Sequence, residues 1–331
     1  MHWQALKPAL STALWLASAL LSDAAIITED FTNDPLAHGW RIFGDTSLFV
    51  WNAANHNLNV TWDSSRANSY FYLPLGTILD RYDDFSLALD LQLTDVAVGV
   101  NSNKPSTFEL ALGFLNPIQA TKTNFLRGNS FDSPNLVEFD FFPEGEFAPT
   151  VWPSIWSTNS SLNYNGSGDY TIIALPTGLL MRITMSYTAS NRTLATSITT
   201  NGTSVAAIHD VSLSSSFTDF RVAAFAVESY SDAGQDPRYG GSLLAHGSVG
   251  NVRLTFSPAP VENLSGNFTN RQWAVMFTSR TNWLYTLERT ADFQFWTAVS
   301  PTTTGGGMAM ALLDTNPPPT RAYYRVRAEK P

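Results

Sequence analysis

The sequence predicts an all-β protein with two parts, a large two-sheet antiparallel sandwich and a small β domain after it. Nearly every periodic segment alternates with period two, and turn signals such as NG, NP and GSG separate these segments. No segment shows the i, i+3, i+4, i+7 apolar spacing of an amphipathic helix. Many short strands separated by turns are typical of a sandwich of two antiparallel sheets.

The predicted strands of the large domain are rich in aromatic and β-branched residues. Alternation, as in RITMSY, predicts a half-buried strand, whereas the continuous apolar run VAAFAV predicts a strand that is buried on both faces. In chain order the segments are LFVWNAANHNLNVTW, SYFYLPL, FSLALDLQL, FELALGFL, LVEFDFF, LLMRITMSY, TLATSITT and FRVAAFAV.

Residues 1–25 have the pattern of a secretory signal peptide. MHWQALK carries one lysine, PALSTALWLASALLS is apolar over the length of an h-region, and SDAA follows with small residues. The apolar run is too short to span a bilayer. We therefore expect cleavage near Ala24–Ala25 and a mature chain that is secreted or held at the cell surface, with no membrane span. A buried N-terminal helix is the alternative.

Composition narrows the classes of partner and of chemistry. The 331-residue chain has no cysteine, so disulfides and thiolate chemistry are excluded. Its net charge of −9 has the wrong sign for nucleic acid or an anionic membrane. Charged residues make up only 14% of the chain, against a usual ~25%, so Ser, Thr, Asn and Gly must form much of the surface.

A change of composition at TFSPAPVENLSG divides the chain. Its two prolines and the polar residues after them predict a linker at residues 257–266. We assign residues 26–256 to the large domain and residues 267–331 to the small C-terminal β domain. Five strands are expected in the small domain, in the segments QWAVMFTS, LYTLERT, FWTAVS, MAMALLD and AYYRVRAE.

Three segments of the large domain resemble the concanavalin A-like lectin/glucanase superfamily over residues 26–256. They are EDFTNDPLAHGW, the aromatic strand LFVWNAANHNLNVTW and the closing GSLLAHGSVGNVRLTF. The resemblance implies a jelly roll in which the first and last strands pair and a curved sheet presents a concave glycan-binding face. The C-terminal segment, with YTLERTADFQFW and AYYRVRAE, resembles small β domains of exported bacterial proteins. That resemblance implies attachment to the cell surface, sorting or structural support.

The stretch NLVEFDFFPEGEF contains the carboxylates of greatest interest. Alternation in a strand places Glu138 and Asp140 on one face, with Val137, Phe139 and Phe141 on the opposite, core face. Carboxylates on one face of a strand are the groups with which many glycosidases cut their substrate.

VEFDFFPE is similar to the signature of family-16 glucanases, Glu-x-Asp-x-Glu or, with a bulge, Glu-x-Asp-x-x-Glu. The resemblance implies that Glu138 is the nucleophile and Asp140 the middle aspartate. The resemblance implies an acid at position 142 or, with the bulge, at position 143, where this chain has Phe142 and Pro143. Residues six apart in an extended strand lie about 20 Å apart, so Glu144 serves as the acid only if the chain turns back at the proline.

Two other roles are open for Glu138 and Asp140. They can accept hydrogen bonds from sugar hydroxyls without any catalysis, or Arg and Ser side chains of neighbouring strands, such as Arg182, can satisfy them structurally. Trp152 and Trp156 follow in VWPSIWS, and an exposed tryptophan ring stacks on a sugar ring. The alternative for both tryptophans is packing in the core.

The loop ESYSDAGQDPRYGG is expected at the rim of the sandwich, where long polar loops bind ligands. Tyr230 in this loop is a candidate for ligand binding, with Trp62 and Tyr70 open to the same interpretation. Asp232 and Asp236 are candidate calcium ligands, because hard cations prefer clustered oxygen atoms. The loop lacks the dense Asp/Asn alternation of a dedicated calcium loop, so we expect no cofactor, with calcium at Asp232 and Asp236 as the alternative.

Other classes of site find no support in the sequence. The five histidines are dispersed without zinc-binding spacing, and GxSxG, the P-loop and a GxGxxG after a strand are absent. We interpret the N-x-[ST] sequons as a consequence of a composition rich in Asn, Ser and Thr. They lie at Asn59, Asn159, Asn165, Asn191, Asn201, Asn263 and Asn267.

Three functional hypotheses follow. The first is an exported, non-catalytic, lectin-like protein that binds a poly- or oligosaccharide through Glu138, Asp140, Trp152, Trp156 and Tyr230. The second is a glycoside hydrolase that uses the same concave face. The third is a structural or adhesive component of the cell surface, in which the C-terminal domain attaches the chain.

Overall fold

A computed structural model describes most of the chain, in two compact units. The described residues are 24–127, 133–143, 148–159, 170–236, 238, 240–319 and 321–331. One unit is Ala24–Ala259, here called the jelly-roll unit, and the other holds Pro260–Pro331, here called the C-terminal unit. The predicted signal peptide lies almost entirely outside the described residues.

The jelly-roll unit is built from strands, with helix confined to short turns in its described residues. Asn116 begins the single α-helical turn, because its side chain accepts hydrogen bonds from the backbone N–H groups of Ile118 and Gln119. The helical segments are α1 (Pro117–Ala120) and three 3-10 turns, Pro35–His38, Thr46–Leu48 and Asp232–Gly234. The strands are β1 (Ala25–Glu29), β2 (Arg41–Phe43), β3 (Phe49–Asn52), β4 (Asn57–Asp63), β5 (Ser69–Leu79), β6 (Phe85–Val98), β7 (Leu110–Leu115), β8 (Leu136–Phe142), β9 (Thr150–Trp156), β10 (Thr171–Ile172), β11 (Leu180–Thr188), β12 (Thr193–Thr200), β13 (Thr203–Ser204), β14 (Val211–Ser212), β15 (Val222–Ser229) and β16 (Leu243–Phe256).

These strands form two antiparallel sheets, which confirms the predicted jelly-roll sandwich. The nine-stranded sheet has the order β13-β12-β11-β6-β16-β4-β3, with β1 also paired to β16 and β14 to β12. The seven-stranded sheet has the order β10-β9-β8-β7-β15-β5-β2. The first and last strands pair, from Ala25 opposite Phe256 to Glu29 opposite Val252, as the resemblance implies.

The core lies between the two sheets and is rich in aromatic rings. Phe114 of the seven-stranded sheet meets Phe85 of the nine-stranded sheet with ring centroids 5.1 Å apart. Phe114 is opposite Val137 in the β7–β8 register, so the odd-numbered residues of β8 face the core. Val137, Phe139 and Phe141 are buried there, as predicted. The even-numbered residues of β8 therefore lie on the opposite side, here called the outer face of the seven-stranded sheet.

The segment LFVWNAANHNLNVTW is a hairpin and not the single strand that its aromatic pattern predicts. It forms β3 and β4, which pair from Phe49 opposite Val60 to Asn52 opposite Asn57. The Asn52 side chain accepts hydrogen bonds from the backbone of Ala54 and Asn55, which closes the turn.

The C-terminal unit also consists of antiparallel strands, as predicted, but its described residues form seven strands in two sheets where five strands were expected. A three-stranded sheet has the order β17-β18-β22, and in a four-stranded sheet β19 pairs with β20, β21 and β23. Its own core includes Val275, Phe277, Tyr285 and Leu287. The strands are β17 (Val261–Thr269), β18 (Gln272–Ser279), β19 (Leu284–Thr290), β20 (Thr297–Ala298), β21 (Thr303–Thr304), β22 (Ala309–Asp314) and β23 (Tyr323–Glu329).

One boundary of the predicted linker is wrong. Residues 261–266, which we assigned to the linker, belong to β17, and this strand pairs with β18 at both ends, with a register shift between Glu262 and Ser265. Most of β17 is exposed on both faces, so its sequence, VENLSGNFT, has no apolar alternation that would predict a strand. No helix in the described part of the chain is long and apolar enough to cross a membrane.

Candidate functional site

Strand β8 carries Glu138 and Asp140 on the outer face of the seven-stranded sheet. In the register of β7 and β8, Glu138 lies opposite Gly113 and Asp140 lies opposite Ala111. These two small residues leave room above β7 for the carboxylates of β8. The outer face is nevertheless closed here, since Glu138 is 0% and Asp140 2% exposed.

Two further carboxylates join them from neighbouring strands. Glu228 of β15 lies opposite Ala111 on one side and Tyr70 on the other, so it faces the same side of the sheet as Asp140. Glu109 directly precedes β7, and alternation puts it on the same face as Ala111. Both are buried. We call Glu109, Glu138, Asp140 and Glu228 the carboxyl cluster.

Arg127 is the cation at the centre of this cluster. Its Nη2 lies 2.8 Å from Glu138 Oε2 and 3.5 Å from Asp140 Oδ2, and its Nε lies 3.0 Å from Glu109 Oε1. The guanidinium also lies 5.2 Å from the ring centroid of Tyr230 and 5.5 Å from that of Trp156. At 2% exposure, Arg127 is as buried as the carboxylates that it contacts. Buried charges of opposite sign are stabilised by such direct contact.

Two hydroxyl groups complete the contacts of β8. Tyr230 Oη donates a hydrogen bond to Glu138 Oε1, and Ser154 Oγ of β9 donates one of 2.7 Å to Asp140 Oδ2. Ser154 belongs to β9, which pairs with β8, whereas Tyr230 follows β15, which is separated from β8 by β7.

The cluster holds more carboxyl groups than positive charges, and protons must make up the difference. Burial raises the pKa of Asp140 well above its usual range, and the charges of Glu138 and Glu109 raise it further. Burial likewise raises the pKa of Glu228, followed by the charge of Glu138 and a hydrogen bond with that residue. Asp140 and Glu228 are therefore the two members whose pKa burial and neighbouring carboxylates both raise.

The predicted site residues fall into two groups in the structure. Glu138, Asp140 and Tyr230 are brought together but are buried, with Tyr230 1% exposed. Trp152 and Trp156 lie on the outer face of β9, opposite Asp140 and Leu136, and both are half-buried. Their assignment to ligand binding stays a prediction.

The place of the expected acid in the glucanase-like signature is occupied by a packed side chain. Phe142 contacts Trp152, with ring centroids 6.2 Å apart. Glu144, the substitute acid, lies outside the described residues. The described part of β8 thus presents Glu138 and Asp140 without a third carboxylate of the signature.

Arg182, which we named as one alternative partner for the carboxylates of β8, pairs with another carboxylate. It belongs to β11 in the nine-stranded sheet, where its Nη1 lies 2.9 Å from Asp90 Oδ1. The expected serine neighbour is present as Ser154. Trp62 and Tyr70, which we considered as exposed platforms, are each 1% exposed, and Tyr70 is buried against Tyr230 with ring centroids 5.9 Å apart.

The two candidate calcium ligands are each engaged by a cation of the protein. Lys104 Nζ lies 2.7 Å from Asp232 Oδ1, and Ser64 Oγ donates to the other oxygen of that carboxylate. Arg238 Nη2 lies 2.7 Å from Asp236 Oδ2 and, through its hydrogen bonds, lowers the pKa of that group to about 2. Among the described residues, no group of three or more His, Cys, Asp or Glu side chains is arranged to hold a metal ion.

Sequence reasoning missed Arg127, Glu109 and Glu228, although two of them carry a signal. Glu228 ends the apolar run FRVAAFAVES, and Glu109 begins FELALGFL. A charged residue inside a run that predicts a strand buried on both faces needs a buried partner. Arg127 lies in a loop with no periodicity, and nothing local indicates that it turns inward.

No protein-family model and no curated protein matches this chain. Its structure is similar to that of the winged bean acidic lectin solved with methyl-α-D-galactose, with 12% identity and a TM-score of 0.43 over 71% of this chain and 99% of that one. Lectin II from Ulex europaeus is similar with 13% identity and a TM-score of 0.42, over 72% and 100%. A legume lectin-like domain from Entamoeba histolytica is similar with 10% identity and a TM-score of 0.39, over 69% and 95%. At these identities the similarity concerns the fold alone.

Proposed function

We propose that this chain is an exported, lectin-like protein that binds a carbohydrate on the outer face of the seven-stranded sheet without cleaving it. The observation that carries the proposal is the pair of half-buried tryptophans, Trp152 and Trp156, that flanks Ser154 on this face of β9. Four residues in a strand span about 13 Å, so the two rings offer separate stacking surfaces along one extended ligand.

Polar atoms beside these rings support the proposal. Trp156 Nε1 and Asp140 Oδ1 have no hydrogen-bond partner within the described ranges. Polar groups that lack a partner inside a protein favour a ligand or water that supplies one. Sugar hydroxyls both donate and accept hydrogen bonds, so a sugar that enters beside the rings suits both an indole N–H and a carboxyl oxygen.

The burial of Glu138 and Asp140 and their ion pairs with Arg127 favour a binding role over catalysis. Arg127 contacts both, and neither reaches the surface. A retaining glycosidase needs two carboxyl groups that face the substrate about 5–5.5 Å apart. Phe142 packs on Trp152 where the signature would place the acid.

The binding test is a glycan panel with tryptophan variants. The secreted chain is expected to bind at least one glycan, and Trp152→Ala and Trp156→Ala are each expected to weaken binding by about tenfold or more, which is ~1.4 kcal/mol. Trp296→Ala, a half-buried tryptophan of the C-terminal unit, is the matched control and should leave affinity unchanged. Galactosides make a reasonable first panel, and β-glucans a second.

Two results would contradict the binding proposal. One is the absence of binding over the whole panel, combined with retention of the chain at the cell surface, which would favour the structural role. The other is an equal loss of affinity in Trp296→Ala, which would show that the effect is not local to β9.

Catalysis is the second candidate, and one observation favours it. Burial raises the pKa of Asp140, which lies on the same face of β8 as Glu138, and a general acid needs a carboxyl group with a raised pKa. Release of reducing sugar from the same panel, lost in Glu138→Gln, would establish a hydrolase in place of the lectin-like role.

Export and surface attachment are part of the same proposal. The N-terminal sequence has the signal-peptide pattern, and β1 begins at Ala25, so cleavage before this residue leaves the first strand whole. N-terminal sequencing of the mature chain tests the cleavage. Fractionation of cells that express either the whole chain or a chain ending at Ala259 tests attachment through the C-terminal unit, since only the whole chain should stay with the cells.

A further inference from the structure

The carboxyl cluster has an unequal balance of charge in a buried place. Glu109, Glu138, Asp140 and Glu228 are at most 5% exposed, and Arg127 is the cation that the described residues bring to them. If all four carboxyl groups were ionised, three negative charges would lack a counter-ion. A buried charge without a partner is too costly to persist, and the group takes up a proton instead.

The surroundings of the cluster contain no other titratable base in the described residues. The groups that face it come from four strands and three connecting segments, and those that titrate besides the four carboxyls and Arg127 are two tyrosines. The full set is Tyr70 of β5, Glu109 before β7, Arg127 in the loop before β8, Glu138 and Asp140 of β8, Ser154 and Trp156 of β9, Glu228 of β15 and Tyr230 after β15. Burial raises the pKa of both tyrosines well above the usual value, so neither supplies negative charge at ordinary pH.

Glu228 differs from the other three members of the carboxyl cluster, each of which accepts at least one hydrogen bond. Its side chain is fully buried, and neither of its oxygens accepts a hydrogen bond from any N–H or O–H donor of the described residues. An ionised carboxylate would need several such donors. Glu228 and Glu138 face the same side of the sheet across β7, opposite Ala111 and Gly113, and the charge of Glu138 and a hydrogen bond with it add to burial in raising the pKa of Glu228. Two carboxyl groups can share a hydrogen bond only when one of them carries the proton and donates it to the other.

We propose that the carboxyl cluster is a proton-binding site, in which Glu228 holds a proton and donates it to the Glu138 carboxylate while Arg127 neutralises a second charge. The proton belongs to the fold of the jelly-roll unit and is released when that fold opens. The reaction is a simple ionisation: the O–H bond of Glu228 breaks, the electron pair stays on the carboxylate, and the proton passes to water.

The effect on stability has a definite sign. In the unfolded chain these carboxyl groups return to an ordinary pKa of about 4. In the folded chain the pKa of Glu228 and that of Asp140 are raised, so above pH 4 the folded state holds protons that the unfolded state has lost. The stabilisation is fully present below the ordinary value and is lost as pH rises toward the raised values. The jelly-roll unit should therefore be most stable in mild acid.

Urea unfolding of the whole mature chain between pH 5 and pH 9 tests the proposal, with tryptophan fluorescence as the readout. The unfolding equilibrium constant is expected to rise with pH, by up to about tenfold per pH unit for each proton held. Glu228→Gln, a neutral residue of the same shape, should reduce this slope by the share of one proton. Asp210→Asn, which removes an exposed carboxylate of the same unit, is the matched control and should keep the wild-type slope.

Infrared spectroscopy of the folded chain at pH 7 gives a second measurement that needs no stability data. A band of a protonated carboxyl group is expected in the wild type and in Asp210→Asn, and it should weaken in Glu228→Gln. If Glu228→Gln does not fold, Asp140→Asn takes its place in the unfolding series. A wild-type slope no steeper than that of the variant, or no protonated carboxyl band in the wild type, overturns the proposal.

Discussion

Arg127 is the residue on which the state of the outer face depends. Its guanidinium contacts the carboxylate of Glu109, just before β7, and those of Glu138 and Asp140 in β8. The rings of Trp156 and Tyr230 lie against it. The planar group has five N–H donors, so one arginine can serve several carboxylates at once, which a lysine cannot do with the same geometry. Without it, the carboxyl cluster would have to take up further protons or admit water.

Arg127→Met is expected to destabilise the jelly-roll unit by about 3–5 kcal/mol at pH 7, because it leaves buried carboxylates without their cation. The loss should shrink toward pH 5, where the carboxyl groups accept protons in place of the cation. Urea unfolding measures both effects. Arg66→Met is the control, since Arg66 is 58% exposed and exposed ion pairs contribute about 0–1 kcal/mol. Equal losses in the two variants would refute the role of Arg127.

At the scale of elements, β7 and β8 approach each other closely at Gly113. A Cβ atom on this glycine would lie 2.3 Å from the carbonyl oxygen of Val137 and 2.7 Å from Glu138 Cα. Both of those contacts are backbone atoms of the paired strand, so no side chain can move aside. The absence of a side chain at Gly113 therefore allows β7 and β8 to come this close where Glu138 lies opposite.

Gly113→Ala is expected to destabilise the jelly-roll unit by about 1–3 kcal/mol, as overpacking in a core does. It should also shift the positions of Trp152 and Trp156 in β9, since a displacement of β8 away from β7 moves the strand that pairs with β9. Gly250→Ala in β16 is the control, because its Cβ would meet nothing closer than 3.8 Å, and a change within about 0.5 kcal/mol is expected there. Thermal unfolding measures both variants, and a stable Gly113→Ala would show that the strands can separate at little cost.

At the scale of the whole molecule, each unit contains its own core. The buried cluster of the jelly-roll unit extends from Phe31 to Phe256 and contains no residue of the C-terminal unit. The C-terminal unit buries a separate set that includes Phe277, Tyr285 and Leu287. A unit with a complete core of its own can fold alone.

A chain ending at Ala259 is therefore expected to fold without the C-terminal unit. Its urea midpoint should match that of the jelly-roll transition in the whole chain, since the core residues are all present. Circular dichroism and tryptophan fluorescence give the comparison. A fragment without a cooperative transition, or with a clearly lower midpoint, would show that the two units stabilise each other.

The strands that the sequence predicts correctly are those with a local signal. LVEFDFF, LLMRITMSY and FRVAAFAV all lie in strands of the two main sheets, and the apolar residues of β8 face the core as alternation requires. The hairpin at Asn52 and the exposed strand β17 were predicted wrongly for physical reasons. In LFVWNAANHNLNVTW, a turn closed by the Asn52 side chain divides the segment into two strands. Strand β17 has no buried face, so its sequence does not alternate.

The sequence by itself determined the all-β class, the core face of β8 and the position of Glu138 and Asp140 on the other face, because alternation is a property of each strand alone. Only the tertiary structure decided that this other face is closed. Arg127 comes from a loop, and Glu228 and Tyr230 lie far from β8 along the sequence. Tyr230 follows Glu138 by 92 residues. Whether a carboxylate is an exposed ligand or a buried proton carrier depends on the partners that pairing of distant strands brings to it, and no local pattern encodes them.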